Sequence, residues 1–198
     1  MTAHGWEPAL VRDRDPFDRT LETLRQRLTR AGPLQGAALP ISGLAEELGV
    51  SPTPVREVLA RLAGEGLIAR TPQGYAALLL DPAGLAELYD LASVLVAAAV
   101  QSGAQAGDGF DLADPLSSAQ AAPNRALAQA CARVQAQLAP LARAEAEVFG
   151  AGSGGVAGDD WADRKALLRA VRRHYARRAA QSGRILAVAL GLLKSPRI

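Results

Sequence analysis

The chain is poor in the residues that build disulfides, metal sites and aromatic cores. Its 198 residues include one cysteine, two histidines and only 4% aromatic side chains. Because a single thiol cannot form an internal disulfide, the composition favours a reducing, cytoplasmic environment. Motifs typical of catalysis, such as G-x-S-x-G or a P-loop, do not occur in the sequence. We therefore expect a protein that is not an enzyme and that needs no cofactor.

Long hydrophobic runs are also scarce, although 49% of the residues are hydrophobic and should form a packed core. The longest runs, residues 91–100 and 185–193, are shorter than the roughly 20 residues that a membrane helix needs. Residues 1–18 carry charges of both signs and lack the apolar centre of a signal peptide. We expect a soluble protein that makes no membrane contact.

Charge is spread unevenly along the chain, although the formal total is only +2. Residues 1–80 contain nine arginines and nine acidic residues, whereas residues 81–163 contain three arginines and eleven acidic residues. Residues 164–198 contain ten basic residues and no acidic one. This basic stretch could pair with the acidic middle of the chain, contact a DNA backbone or dock on an acidic partner, and the sequence leaves the choice open.

The first half of the chain has the pattern of short helices after an N-terminal arm. Residues 1–16 predict the arm, and helical periodicity predicts a helix over residues 19–30 with Asp18 as its N-cap. Two further helices are predicted over residues 43–48 and 52–64, joined by a tight Gly-containing turn. Two short helices joined in this way are typical of a helix-turn-helix.

Caps and turn residues extend this prediction to a winged domain. Ser42 and Ser51 stand where the N-caps of the two short helices are expected. Residues 67–70 and 75–78 are strand-like runs around a Thr-Pro-Gln-Gly turn, which predicts a β-hairpin. The order helix, helix, helix, hairpin predicts a winged helix-turn-helix domain over residues 17–80.

Beyond Asp81 the pattern is helical only, so residues 81–198 predict an all-α helical bundle. The predicted fold class of the chain is therefore mainly α, with a winged helix-turn-helix followed by this bundle. A bend is expected at Pro140, inside the second long helix of the bundle. The predicted helices of the bundle cover residues 82–101, 124–149, 160–182 and 185–193.

The stretch LAEELGVSPTPVREVLARLAGEGLIARTPQGY, residues 44–75, resembles the GntR family of bacterial transcription regulators. The LGVS, TPVRE and EGL elements stand at the spacing typical of that family. The resemblance implies a recognition helix that enters the major groove and a wing that approaches the minor groove. For the wing tip, a simple hairpin turn is the alternative. The DNA-contacting residues that the resemblance implies are Ser42, Ser51, Thr53, Arg56, Gln73 and Gly74.

Two positions depart from the family's usual pattern. Pro52 stands where an arginine is usual, and Ser42 stands where the FadR-like branch has an arginine. Together with the balanced charge of the domain, these departures imply weak or narrowly specified DNA binding. Arginines of the arm and of the first helix would help, namely Arg12, Arg14 and Arg19.

The chain after Asp81 resembles the ligand-sensing domain of the FadR-like branch, the FCD type, in a reduced form. That domain commonly binds a metal through one aspartate and three histidines, and here only Asp111 matches. The histidine positions are held by Pro115, Arg164 and, near the third, Leu186. Because one ligand of four cannot hold a zinc ion, the resemblance implies no metal, and Asp111 becomes an N-cap or loop carboxylate. An effector pocket, where one exists, is expected to be apolar.

Two reactive side chains have ordinary explanations. His174 lies in the basic stretch, where a surface position is expected and a pH sensor is the alternative. Cys131 lies among alanine and leucine residues, so we expect a buried apolar residue, with a redox switch as the alternative.

These patterns predict a DNA-binding transcription regulator, a repressor that binds a palindromic operator on double-stranded DNA as a homodimer. Effector binding in an apolar pocket is an expectation that the sequence does not identify further. Two alternatives stay open. One is an effector-independent regulator whose C-terminal domain only dimerises, and the other is a protein-interaction module that has lost specific DNA binding.

Overall fold

The structure is a computed structural model that describes residues 15–30, 35–102, 114–120, 122–150 and 164–193. Within these ranges the chain is mainly helical, with a small hairpin in the N-terminal part and helices alone after it. This confirms the predicted fold class. The elements in chain order are α1 (Pro16–Arg30), α2 (Ile41–Leu48), α3 (Pro52–Gly64), β1 (Ile68–Thr71), β2 (Gly74–Ala77), α4 (Pro82–Gln101), α5 (Pro115–Ala119), α6 (Arg125–Leu138), a 3₁₀ turn (Ala139–Leu141), α7 (Ala142–Phe149), α8 (Arg164–Ala180) and α9 (Ser182–Ala189).

Several predictions fall outside the described residues. They are most of the arm, with Arg12 and Arg14, the aspartate Asp111, and the first residues of the helix predicted over 160–182.

The first two helices begin earlier than the sequence predicted. Helix α1 starts at Pro16, because proline suits the first position of a helix, and the Oδ1 atom of Asp15 accepts a hydrogen bond from the Phe17 N–H at 3.1 Å. The assignment of Asp18 as the cap is therefore wrong, since Asp18 lies inside the first turn. A matching shift occurs in α2.

In α2 the N-cap position is Pro40, whose carbonyl oxygen accepts the first helical hydrogen bond, from the Leu44 N–H at 3.0 Å. Ser42 is thus a first-turn residue and not the predicted cap. Ser51 does hold the N-cap position of α3, but its side chain makes no capping hydrogen bond within the described chain. The Gly49 turn between the two helices adopts a left-handed φ of 65°, which favours glycine.

The predicted hairpin forms, with each strand lying one residue closer to the turn than the sequence predicted. Strands β1 and β2 pair antiparallel, from Ile68 opposite Ala77 to Thr71 opposite Gly74. A pairing that the sequence did not indicate adds to it, because Ala38 bridges to Ala76. The hairpin is thereby attached to the segment that precedes α2.

The second half of the chain packs around α4. One face of this helix is buried, at spacings of three and four residues, against α8, α6 and α9. Its N-cap is Asp81, whose Oδ1 accepts a hydrogen bond from the Gly84 N–H at 2.7 Å. At 20 residues α4 is long and apolar enough to span a membrane by length and composition alone, which the sequence prediction overlooked. The buried face instead marks α4 as the core helix of the bundle.

The remaining predicted helices are confirmed with local changes. Asn124 caps α6 by accepting a hydrogen bond from the Leu127 N–H at 3.1 Å, and the 3₁₀ turn at Pro140 separates α6 from α7 as expected. Helix α9 ends at Ala189, so the prediction that residues 190–193 are helical is wrong. Two buried clusters result, one formed by α1 to β1 and the other by α4 to α9.

Candidate nucleic-acid interface

Helix α3 presents a polar, exposed N-terminal end on top of a buried apolar face. Val55, Val58 and Leu62 are fully buried, at the spacing of one side of a helix. Ser51 and Thr53 at the opposite side of the first turn are exposed. Because the Ser51 side chain makes no capping bond within the described residues, its hydroxyl group is available to an outside partner. Because Pro52 and Pro54 have no N–H group, Thr53 alone among the first three residues of α3 has a backbone N–H to offer at this end.

Arg56 differs from the other arginines that pack around this helix. Its side chain is exposed and forms no hydrogen bond or ion pair within the part of the chain that the structure describes. Arg61, one and a half turns further along α3, pairs instead with Glu65 at 3.0 Å. Arg27 of α1 pairs with Glu47 at 2.6 Å. Arg56 is therefore the cation of α3 that remains available to bind an anion.

The wing tip consists of the exposed turn between β1 and β2. Pro72 and Gln73 are exposed, and Gly74 has a φ of 127° that L-amino acids rarely adopt. A Cβ atom at Gly74 would meet nothing within 4 Å, so the backbone conformation and not packing requires this glycine. Gln73 is thereby held at the outermost point of the hairpin.

Arg70 is a wing residue that the sequence analysis did not single out. Its guanidinium lies 5.7 Å from the ring centroid of Tyr75 across the hairpin and donates a 3.3 Å hydrogen bond to the Tyr75 hydroxyl. The side chain is exposed. Alternation along β1 could have indicated an outward arginine beside the turn, but the aromatic support depends on the pairing of the two strands.

Ser42, the remaining predicted contact residue, is exposed in the first turn of α2. Helix α2 packs directly against α3. The predicted residues thus lie at the starts of two packed helices and at the tip of the hairpin.

No metal centre is found in the described parts of the chain, where no group of three or more His, Cys, Asp or Glu side chains converges. Of the residues at the family's histidine positions, Pro115 starts α5, Arg164 starts α8 and Leu186 is buried in α9. Cys131 is completely buried, as predicted, and burial raises the pKa of its thiol.

His174 is not the plain surface residue that the sequence predicted. Its side chain is half-buried and packs edge-on against the Tyr175 ring, with a centroid distance of 4.8 Å. Burial, together with the nearby guanidinium groups of Arg178 and Arg177, lowers the pKa of His174 to about 3. The histidine therefore stays neutral in the folded protein near neutral pH.

The interior of the helical bundle holds a charged group, whereas the sequence predicted that any effector pocket there would be apolar. The Tyr89 hydroxyl donates to Oε1 of Glu145 at 2.6 Å, and Nε of Arg178 donates to Oε2 of the same carboxylate at 2.7 Å. Burial and the neighbouring Glu145 carboxylate hold the pKa of Tyr89 far above its usual range. This network joins α4, α7 and α8, and the sequence analysis had not identified it.

The helix order and the exposed α3 end define the class of this domain as a winged helix-turn-helix DNA-binding domain. Residues 17–75 match the family described as bacterial regulatory proteins, gntR family. This part of the chain is a GntR-family helix-turn-helix domain. The match puts it among transcription regulators and not among enzymes.

Solved structures of bacterial regulators are similar to the chain over most of its length. Lar, which controls the expression of the Listeria monocytogenes agr system and mediates virulence, has a TM-score of 0.52 and 16% identity, over 86% of this chain and 98% of Lar. E. coli McbR/YncC has a TM-score of 0.46 and 20% identity, over 89% of this chain and 93% of its own. The likeness to Lar is one of fold alone. No curated protein matches the sequence.

Proposed function

We propose that the protein is a cytoplasmic transcription repressor that binds a palindromic operator as a homodimer. Residues 17–80 would read double-stranded DNA, and residues 81–198 would form a reduced FCD-type domain that dimerises. The observation that carries the proposal is Arg56, an exposed and unpaired cation in the first turns of a helix whose opposite face is buried.

Each exposed group has a role in this proposal. The hydroxyl groups of Ser51 and Thr53, with the backbone N–H of Thr53, bind phosphate oxygens, and Arg56 reaches a guanine edge or a phosphate. Gln73 and Gly74 approach the minor groove. Because an uncharged serine at position 42 and Pro52 offer no guanidinium, we propose weak or narrowly specified binding.

An exposed apolar stripe on α4 supports the homodimer. Leu91 and Val94 lie three residues apart on the side of α4 that faces away from the bundle core, with 45% and 65% of their surface exposed. Further leucines are exposed directly after α9, Leu190 and Leu192 among them. Burying such side chains against a second copy would remove apolar surface from water.

The proposal is tested by gel-shift titration of the full chain with the DNA upstream of its own gene, at several salt concentrations. Arg56→Ala is expected to weaken binding by about ten-fold or more, since a good base contact is worth about 1–3 kcal/mol. Arg143→Ala, which removes a 93% exposed arginine of α7, is the matched control and should bind like the wild type. Equal affinity of Arg56→Ala and wild type would overturn the assignment.

The oligomeric state is measured separately by analytical ultracentrifugation. Val94→Asp should shift the protein to monomer, whereas Leu79→Asp, at a 76% exposed leucine outside the helices, should not. A monomeric wild type at micromolar concentration would contradict the homodimer.

Two observations favour the alternatives. The charged Glu145 network inside the bundle favours an effector-independent regulator, because a charged interior suits an apolar effector poorly. The exposed Pro52 in place of an arginine favours an interaction module without specific DNA binding. A gel shift that cell extract does not change supports the first alternative, and no shift at low salt supports the second.

A further inference from the structure

A groove of about 540 Å³ runs between the winged domain and the helical bundle. Side chains of α1, of the end of α3 and of the residues after β2 form one wall, and α6 forms the other. The volume lies in the range of small-molecule sites, about 300–1,000 Å³. The groove lies between the two halves of the chain and is separate from the bundle interior around Glu145.

A hydrogen bond links the two walls directly. Nε2 of Gln137 in α6 donates to the carbonyl oxygen of Gly66 at 2.8 Å. Within the first wall, the side-chain amide of Gln35 bonds both the N–H and the carbonyl oxygen of Leu80, at 3.0 and 3.1 Å. Gly66 has a φ of 73°, and a Cβ atom there would come within 3.3 Å of the Gln137 amide. The absence of a side chain at Gly66 therefore allows α6 to lie close to the winged domain at this point.

The groove has an excess of positive charge. On one wall Arg25 and Arg61 both pair with Glu65, at 2.5 and 3.0 Å, so two guanidinium groups share one carboxylate. Partial burial would raise the pKa of Glu65, but the hydrogen bonds from both arginines outweigh it and hold the pKa below its usual value. Glu65 therefore stays charged, and one positive charge on this wall is left over.

Arg133 adds a second uncompensated charge from the opposite wall. It lies on α6, is exposed, and forms no ion pair with any residue that the structure describes. The lining between the charges is largely apolar, with Leu28 and Leu67 on one side and Ala132 and Ala136 on the other. The groove thus has guanidinium groups on both walls and aliphatic side chains between them.

We propose that this groove binds an amphipathic anion, a molecule with one acidic head group and an apolar body. The head group lies between Arg133 and the Arg25–Glu65–Arg61 cluster, where the net charge of the lining is positive. The body packs on the aliphatic side chains and loses water there. The excess positive charge would repel a cation. A small inorganic anion would not cover the apolar side chains, which would stay in contact with water.

The site is tested without DNA, by fluorescence titration of the full chain with anilinonaphthalene sulfonate. The matched probe is phenylnaphthylamine, which has the same aromatic body and no charge. Arg133→Gln is expected to bind the sulfonate about ten-fold more weakly and the neutral probe unchanged. Arg125→Gln, at an exposed arginine of the same helix outside the groove, should bind both probes like the wild type.

A second variant tests the location. Ala136→Phe places a ring in the groove and should abolish binding of both probes, whereas Ala126→Phe, on the exposed side of α6, should not. Circular dichroism confirms that each variant is folded. Equal sulfonate affinity of Arg133→Gln and wild type, or probe binding that survives in folded Ala136→Phe, would overturn the proposal. The probe titration contains no DNA, so a failed gel shift with the operator would not change its outcome. Likewise, a failed probe titration would not bear on the proposed DNA binding.

Discussion

Removal of the Glu145 carboxylate should destabilise the helical bundle strongly. Glu145 is the shared acceptor for the Tyr89 hydroxyl of α4 and the Arg178 guanidinium of α8, and it lies itself on α7. The side chains of Glu145 and Arg178 expose only 16% and 13% of their surface, and Tyr89 exposes none. Glu145→Ala therefore leaves a buried charge and a buried hydroxyl group without their acceptor.

The size of the effect follows from what Arg178 retains. Loss of one partner of a buried ion pair costs about 3–5 kcal/mol of unfolding free energy. Arg178 keeps a 3.3 Å hydrogen bond to the carbonyl oxygen of His174 and lies 5.1 Å from the centre of the Phe149 ring. We therefore expect a loss near the lower limit, about 3 kcal/mol.

The neighbouring pair on the same helix supplies the control. Glu147, two residues further along α7, pairs with Arg143, whose side chain is 93% exposed. Because exposed ion pairs contribute about 0–1 kcal/mol, Glu147→Ala should change the unfolding free energy by less than about 1 kcal/mol. Urea denaturation followed by circular dichroism measures both variants. A Glu145→Ala protein as stable as Glu147→Ala would refute the assignment of a buried network.

Two smaller effects concern pH and a helix cap. Because burial and nearby guanidinium groups lower the pKa of His174 to about 3, the unfolded chain binds a proton below about pH 6.5 that the folded chain does not. The stability that depends on a neutral His174 is therefore present above about pH 6.5 and is lost as the pH falls toward 3. His174→Gln should make the fall in unfolding free energy with decreasing pH shallower by up to about 1.4 kcal/mol per pH unit, measured by denaturation at a series of pH values. Asp81→Ala should cost about 1 kcal/mol by removing the bond to the Gly84 N–H, whereas Asp90→Ala, in the middle of α4, should leave the melting curve unchanged.

Local signals made much of the fold predictable. The bounds of α4, Pro82–Gln101, agree with the predicted helix because Asp81 and Pro82 form a cap and a start that depend only on adjacent residues. The bridge of Ala38 to Ala76 could not be predicted in this way, since it depends on where the chain returns after two helices. The contact of Tyr89 with Glu145, 56 residues away along the chain, is non-local in the same sense.

Non-local pairing also changes how the charge of the DNA-reading domain is understood. The formal balance of zero over residues 1–80 suggested a poor surface for phosphates. The Arg61–Glu65 pair could be read from its four-residue spacing, but the Arg25–Glu65 pair, 40 residues apart, could not. Glu65 and Glu47 pair with arginines other than Arg56, so Arg56 stays unpaired within the described residues although the formal balance of the domain is zero. The proposed weak DNA binding then depends on the guanidinium groups that are missing at two positions of the motif. Restoring one of them with Pro52→Arg should strengthen operator binding in the gel-shift titration by about ten-fold.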